Sequence, residues 1–282
     1  MESSFVMGKD KSKNFNYALF GNPINHSKSP QIHNLFSKQT GIFHVYKAIK
    51  IPINQFSLLV SDFFKYNIQG ANVTAPFKKE AYFFSNKLTK RAQIAQSVNT
   101  LKKVNNTCIL GDNTDGIGLL SDLNRLKFIQ KNFSILILGA GGAIQGILLS
   151  ILSLGCSVYI LNRTDSNASN LVNQFRQYGK IKIFKKNDLK IKYFDLVING
   201  LSRNIQYDSS IIPLHLFTNK TFFYDMNYGL KNISFLNLCF KIDSNHIADG
   251  IGMLVFQAAY SFLEWHGIFP QIDYIIDLLN KS

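Results

Sequence analysis

The sequence predicts the α/β class, with two units of alternating strands and helices, the second built on a doubly wound parallel sheet. Three observations carry this. Ile135–Gly146 reads ILILGAGGAIQG, an apolar run, a glycine-rich turn and then helix formers. Cys156–Asn162 (CSVYILN) is a further apolar run one helix length on, which makes a βαβ unit. Ahead of both, short apolar runs alternate with segments of helical apolar spacing.

In chain order, Tyr17–Phe20 is the first strand, and Gly21-Asn22-Pro23 turns it. Ser29-Pro30 fits an N-cap followed by proline at the first helical position, so a helix runs over Gln31–Gln39. Ser27 has no such capping duty, and two hydroxyls beside a helix start suit a carboxylate. Phe43–Ile49 reads as a strand and Asn54–Tyr66 as an amphipathic helix. Gln69–Val73 is a strand that delivers Asn72, Thr74 and Lys78 at its carboxyl end, where open α/β sheets gather ligands. Gln93–Val98 is helical, and Asn99–Leu101 opens a hairpin with Thr107–Leu110. Gly111-Asp112-Asn113-Thr114-Asp115-Gly116 is a second polar cluster and precedes a helix to Lys127. Beyond the βαβ unit come helix Ser166–Tyr178 and strands Ile181–Phe184, Phe194–Asn199 and Thr221–Asp225. Helix Met253–Trp265 is apolar on most sides and should be buried, which leaves the amide of Gln257 to be satisfied by a neighbour or a ligand. Helix Ile272–Leu279 ends the chain. The division expected is 1–114, 115–250 and 251–282.

The glycine turn has a chemical reading. Gly139 permits the turn, Gly141 lets the backbone approach a pyrophosphate, and the N–H groups of the next helical turn hold that anion. The third glycine of the dinucleotide fingerprint falls at Ile144, so an ordinary strand-to-helix turn is the competing reading. The second strand runs into Asn162-Arg163-Thr164 where an NAD site often has an acid. A guanidinium attracts a 2′-phosphate, so the expected cofactor is NADP.

Composition narrows the function classes. The chain has 31 basic and 17 acidic residues, a formal charge of +14, but its lysines are scattered and form no stripe interleaved with aromatics. Nucleic acid is therefore not an expected partner. No apolar run approaches the roughly 20 residues of a membrane span, and the first 16 residues lack a signal-peptide core. No membrane partner and a cytoplasmic location are expected, and a homodimer is compatible with the sequence. Cys108, Cys156 and Cys239 sit among apolar residues and read as buried free thiols. The six histidines form no metal pattern, so no metal is expected.

A nicotinamide enzyme that reduces a ketone needs a proton donor for the oxygen that gains charge. Lys78 and Asp115 are the candidates in the polar clusters, and a structural ion pair between units is the competing role.

Several motifs, in one order from Tyr17 onward, resemble those of shikimate dehydrogenases. They are GNPINHSKSPQIHN (Gly21–Asn34), GANVTAPFK (Gly70–Lys78), VNTL (Val98–Leu101), GDNTDGIG (Gly111–Gly118), GAGGA (Gly139–Ala143), NRT (Asn162–Thr164), YDMNY (Tyr224–Tyr228) and ADGIGMLVFQAA (Ala248–Ala259). The resemblance implies a substrate domain, a Rossmann-type NADP domain, and C-terminal helices that return to the substrate domain. It implies reversible NADPH-dependent reduction of 3-dehydroshikimate to shikimate, a step toward aromatic amino acids. Ser27, Ser29 and Tyr228 would hold the substrate carboxylate; Thr74, Asn99 and Gln257 would read the ring hydroxyls. Lys78 and Asp115 would be the catalytic pair at the reacting oxygen. Gly139, Ala140, Gly141, Gly142 and Ala143 would hold the pyrophosphate, Asn162, Arg163 and Thr164 the 2′-phosphate, and Met226 and Gly250 would flank the nicotinamide.

The chain also departs from that pattern. Asn167 stands where many members have a second basic residue, which weakens the expected NADP preference. Ile144-Gln145 replaces a small and a basic residue. Gly200–Asn204 replaces a Thr-Ser-like turn, and Arg203 in it is a candidate for the missing charge. The competing functions are a quinate/shikimate dehydrogenase that uses NAD, a nucleic-acid binder, and a ligand-binding homologue without catalysis. Intact Lys78 and Asp115 oppose the last.

Overall fold

Two six-stranded sheets organise the chain, and the parallel strands of each end toward the same cleft. The computed structural model describes residues 15–65, 68–185, 191–201, 212–229, 235, 242 and 246–281. The first sheet is built from β1 (Tyr17–Gly21), β2 (Tyr46–Lys50), β3 (Gly70–Val73), β4 (Lys87–Leu88), β5 (Thr100–Asn105) and β6 (Cys108–Asp112), in spatial order β2-β1-β3-β5-β6-β4. Its helices are α1 (Ser29–Thr40), α2 (Phe56–Lys65), α3 (Lys78–Phe84) and α4 (Lys90–Ala95). β1 lies parallel to β2 and β3, whereas β5 and β6 form an antiparallel hairpin added beside β3.

After α5 (Asp115–Arg125) comes the second sheet: β7 (Ser134–Leu138), β8 (Ser157–Leu161), β9 (Lys180–Ile183), β10 (Leu196–Asn199), β11 (Phe222–Asp225) and β12 (Ile247–Ala248). Its order is β12-β11-β10-β7-β8-β9 and every pairing is parallel. α6 (Gly142–Leu152) and α7 (Asp165–Phe175) cover one face, where Ile144, Ile147, Leu148 and Ile151 bury against Ile135, Ile137, Val158 and Ile160. Leu136, Leu138, Val197 and Phe223 face a separate core on the other side. Burial on both faces is why these strands read as unbroken apolar runs. The chain winds outward in both directions from β7 and β10, so the switch point, where such sheets bind ligands, lies between them.

α8 (Ile251–His266) and α9 (Asp273–Asn280) return to the first unit. Val255, Ala258, Ala259 and Phe262 of α8, with Ile275 and Ile276 of α9, bury Ile32 and Phe36 of α1. α8 also packs along α5, where the buried Asp122 carboxylate accepts the Tyr224 hydroxyl at 2.7 Å and the Arg125 Nε–H at 2.9 Å. One junction therefore fastens the second sheet, α5 and the start of α8.

Some element limits differ from the sequence expectation. The second strand begins at Tyr46, because Phe43 is exposed and Val45 bonds to Asn16 and Tyr17 ahead of the ladder. The helix expected over 93–98 is α4, three residues earlier: the Thr89 hydroxyl caps it by accepting from the Ala92 N–H, and Gln96 ends it with a φ of 48°. β4 and β12, two residues each, were too short to read. Cys156 is buried as expected, Cys108 is only half-buried, and Cys239 lies outside the described residues. Among the described residues no helix is long and apolar enough to cross a membrane, and no group of three or more His, Cys, Asp or Glu stands ready for a metal.

Three histidines far apart in sequence form a hydrogen-bonded chain between α1, β2 and the end of α8. His44 Nδ1 lies 2.9 Å from His266 Nε2, and His44 Nε2 lies 3.0 Å from His33 Nδ1. Tyr46 stacks on His33 and Tyr17 on His44, at 4.0 and 4.1 Å between ring centres. Burial, then the neighbouring imidazole of His266, lowers the His44 pKa to about 3; burial likewise holds His33 well below its ordinary value, and His266 is also lowered. These groups are neutral when folded but protonate near 6.5 when unfolded. The unfolded chain then binds more protons between those values, so their contribution is intact above pH 6.5 and is lost as pH falls toward 3. In urea melts, unfolding free energy should drop between pH 6.5 and 5 by up to about 2 kcal/mol for each such histidine. His44→Gln should make that slope shallower; an unchanged slope would show that His44 already titrates normally in the fold.

Candidate active site

The residues that the motifs assign to a substrate or cofactor come from eight separate stretches, and all of them line one cleft of about 1040 Å³ between the carboxyl ends of the two sheets. At its centre stands Asp115, the first residue of α5. Lys78, the first residue of α3, follows β3 of the first sheet and puts Nζ 2.5 Å from Asp115 Oδ2. The Asn99 amide donates to the remaining oxygen, Oδ1, at 2.8 Å.

Asn99 is itself fixed. Its carbonyl oxygen accepts from the Thr114 N–H at 2.8 Å and from the Thr100 hydroxyl at 2.9 Å. Only its N–H₂ group is left to face Asp115, the Thr114 hydroxyl at 2.9 Å and Gln257 Oε1 at 3.4 Å. Gln257 donates in turn to the Leu254 carbonyl at 2.8 Å, so its amide is both anchored and turned to the cleft. Asp112, the other acid of this cluster, has a structural duty. Burial alone would raise its carboxyl, but Arg91, the Thr89 hydroxyl and the Asn113 N–H outweigh this and hold it below the usual carboxylate range.

The hydroxyls on α1 differ from expectation. Ser29 is not the N-cap: α1 starts at Ser29, and Lys28 precedes it without a side-chain cap. Ser27 has the local role, since its Oγ accepts the Ser29 N–H at 3.2 Å. Both serines line the cleft, with Ser29 buried. On the opposite wall, Asp225 accepts from Asn199 and from Asn227, and Asp249 accepts from the N–H groups of Gly229 and Ile251. The Gly250 N–H donates to the Asn227 carbonyl at 2.9 Å. These bonds clamp together the two turns that carry Met226, Tyr228 and Gly250.

The glycine turn after β7 leaves an uncapped helix start open to the cleft. Gly139 has φ +107°, a left-handed conformation that favours glycine. Gly141 precedes α6 without a side-chain cap, and a Cβ on Gly141 or Gly142 would meet only open cleft. The first N–H groups of α6 are thus left to an incoming phosphate, and the residues present fit a dinucleotide. Ile144 fills the core instead of a third glycine position, and Gln145 donates to Gln174 at 2.9 Å, which ties α6 to α7. At the far end of the cleft are Asn162, Arg163 and Thr164, with Arg163 exposed; Arg203 lies outside the described residues.

Sequence reasoning did not single out His26, Asn227, Met253 or Leu254, and it placed Asn72 at the ligand end of its strand without a role; all of them line the cleft. Asn72 carried a signal, as a polar residue inside a strand buried throughout. Its Oδ1 accepts the Tyr46 hydroxyl, and its N–H₂ donates to Thr100 and Ser261.

Residues 19–101 match the family model described as the shikimate dehydrogenase substrate binding domain, and residues 123–207 the one described as shikimate / quinate 5-dehydrogenase. The chain belongs to the shikimate dehydrogenase family. A protein of Buchnera aphidicola subsp. Schizaphis graminum named shikimate dehydrogenase (NADP(+)) is 68% identical over 270 residues, covering 96% of this chain and 98% of the relative. The crystal structure of an Ael1 enzyme from Pseudomonas putida superposes with a TM-score of 0.85 at 35% identity, over 94% of this chain and 98% of that one. That of shikimate 5-dehydrogenase from Thermus thermophilus in complex with NADP(H) and shikimate gives a TM-score of 0.82 at 26% identity, over 95% and 99% of the two chains.

Close packing of α5 on α8 sets the Asn99–Gln257 contact of this shikimate dehydrogenase fold. A Cβ on Gly118 would lie 2.8 Å from the backbone nitrogen and Cβ of Gln257. Gly118→Ala should therefore push α8 outward, cost about 1–3 kcal/mol of stability and weaken substrate binding. Thermal melts and substrate titration check this; a variant with unchanged melting and affinity would mean that the two helices part freely.

Proposed function

We propose that this chain catalyses the reversible NADPH-dependent reduction of 3-dehydroshikimate to shikimate, a step toward chorismate and the aromatic amino acids. The observation that carries it is the Lys78–Asp115 pair, 2.5 Å apart, at the middle of a cleft with an anion cradle on one side and a cluster of amides and hydroxyls on the other. Family membership and the names of the relatives support the same reaction and cofactor. In this proposal residues 1–114 form the substrate domain, 115–250 the NADP domain, and 251–282 the helices that close back. A cytoplasmic location, and no nucleic-acid or membrane partner, remain part of it.

Roles follow from position. Ser27, Ser29 and Tyr228 hold the substrate carboxylate from the turn into α1 and from the turn after β11. Thr74, Asn99 and Gln257 read the ring hydroxyls, a neutral donor and acceptor set that suits a polyol. The cofactor, when bound, exchanges a hydride with the ring carbon. Gly139–Ala143 hold its pyrophosphate, Asn162, Arg163 and Thr164 its 2′-phosphate, and Met226 and Gly250 flank its nicotinamide.

Lys78 moves the proton. As an ammonium beside the carbonyl oxygen it donates to the alkoxide that forms, and in the reverse direction it takes the hydroxyl proton. Asp115 keeps Nζ aimed and is aimed itself by Asn99.

The test is nicotinamide absorbance with shikimate and NADP, wild type beside Lys78→Ala, and quinate with NAD in parallel. Turnover should fall by about 100-fold or more in the variant, with shikimate affinity largely retained. Faster wild-type turnover of quinate with NAD would replace the proposed substrate and cofactor. Retained turnover in Lys78→Ala would remove Lys78 from proton transfer.

A further inference from the structure

The NADP reading leaves an electrostatic deficit at the adenosine end of the cleft. A phosphate monoester carries about −1.5 to −2 charges at pH 7. The turn from β8 into α7 reads Asn162-Arg163-Thr164-Asp165-Ser166-Asn167, whose one cation and one anion cancel. Asp165 is moreover the first residue of α7, where its carboxylate takes up the positive end of the helix that would favour a phosphate. Arg163 by itself therefore faces a nearly dianionic group with an acid two residues away.

The sheet brings in another cation from outside this turn. β9 runs parallel to β8 with Ser157 opposite Lys180, Tyr159 opposite Lys182 and Ile160 opposite Ile183. The Phe184 N–H donates to the Ile160 carbonyl at 2.8 Å, so the two chains stay in register past the end of β9. The next step sets Lys185 beside Asn162, one strand spacing of about 4.8 Å away. Lys185 is exposed, and its flexible four-carbon stem reaches roughly 6 Å, enough to meet a group held at Arg163 and Thr164. Lys180 and Lys182 lie earlier on the same strand, toward the amino end of the sheet and away from the cleft.

We propose that Lys185, at the carboxyl end of the edge strand β9, supplies the second positive charge that holds the cofactor's 2′-phosphate, and so helps decide NADP over NAD. It takes the part that a base at position 167 would play, from the neighbouring strand instead of from α7. The inference rests on the NADP reading above.

Calorimetric titrations of the whole protein with NADP⁺, NAD⁺ and adenosine 2′-monophosphate test it, on wild type, Lys185→Gln, Lys185→Arg, Lys180→Gln and Arg163→Gln. Lys185→Gln should weaken NADP⁺ and the 2′-monophosphate about fivefold, as befits one charge-assisted contact at an exposed site, and leave NAD⁺ unchanged. Lys185→Arg should retain wild-type affinity, and Lys180→Gln should have no effect. Equal weakening of NADP⁺ and NAD⁺ in Lys185→Gln, no weakening of either, or the same loss in Lys180→Gln would each overturn the proposal. Arg163→Gln separates the two readings. If it weakens NADP⁺ selectively while Lys185→Gln does not, Lys185 alone is wrong. If neither discriminates, the 2′-phosphate is not held at the end of β8, and the cofactor assignment falls with it.

Discussion

The carboxylate of Asp115 gathers the polar groups of the cleft where the chain leaves the first sheet for the second. One oxygen accepts from Lys78 on the first sheet and the other from Asn99 at the start of its hairpin, while the residue itself opens the helix that leads to the second sheet. A charge in this position is costly to bury without partners and is here fully partnered. The rest of the site is arranged around that need. Thr100 and Thr114 orient Asn99, Asp112 shapes the turn before α5, and Asn113 accepts the Asp115 N–H at 3.1 Å.

Close approach of helices is the second constraint. α5 lies against α8 along a contact with no side chain at Gly118, and α6 approaches Asn113 and Asp115 at Gly146. The helix that follows the glycine turn and the Lys78–Asp115 pair therefore share one packed junction. The Asp122–Tyr224 bond pins the same junction from behind. This economy explains why the cleft is lined from so many stretches of chain: α5, α6 and α8 converge on it, and each contributes from the end that faces it.

The acids and imidazoles outside the cleft divide by function. Arg91 gives Asp112 a charged partner, and the carboxylate stays ionised as part of the scaffold. The His33–His44–His266 chain has aromatic walls in place of countercharges, so burial keeps it neutral. It joins the end of α8 to α1 and β2 by hydrogen bonds that connect residues 222 and 11 positions apart. No period or spacing announces such a chain. Each histidine by itself reads as an ordinary core residue.

Local rules made much of this molecule legible in advance. The period of apolar residues separates strand from helix, and glycine is required where φ turns positive at Gly139. Both preferences act within a few residues, so they show in the order of the chain. The motifs named the residues of the cleft, and all of them line it. Where local cues compete, the sequence misjudged the outcome. Ser29 looked like a cap but is the first helical residue, and Ser27 accepts its N–H instead. Long-range partners were out of reach for the same reason. That Asn99 turns its N–H₂ toward Asp115, that Gln257 meets it from the far end of the chain, and that Lys185 follows the strand beside the one leading to Asn162 depend on register and helix approach. Such distances are set by packing the whole chain, because a hydrogen bond or ion pair across sheets has no signature in the order of residues and exists only once the cores have closed around it.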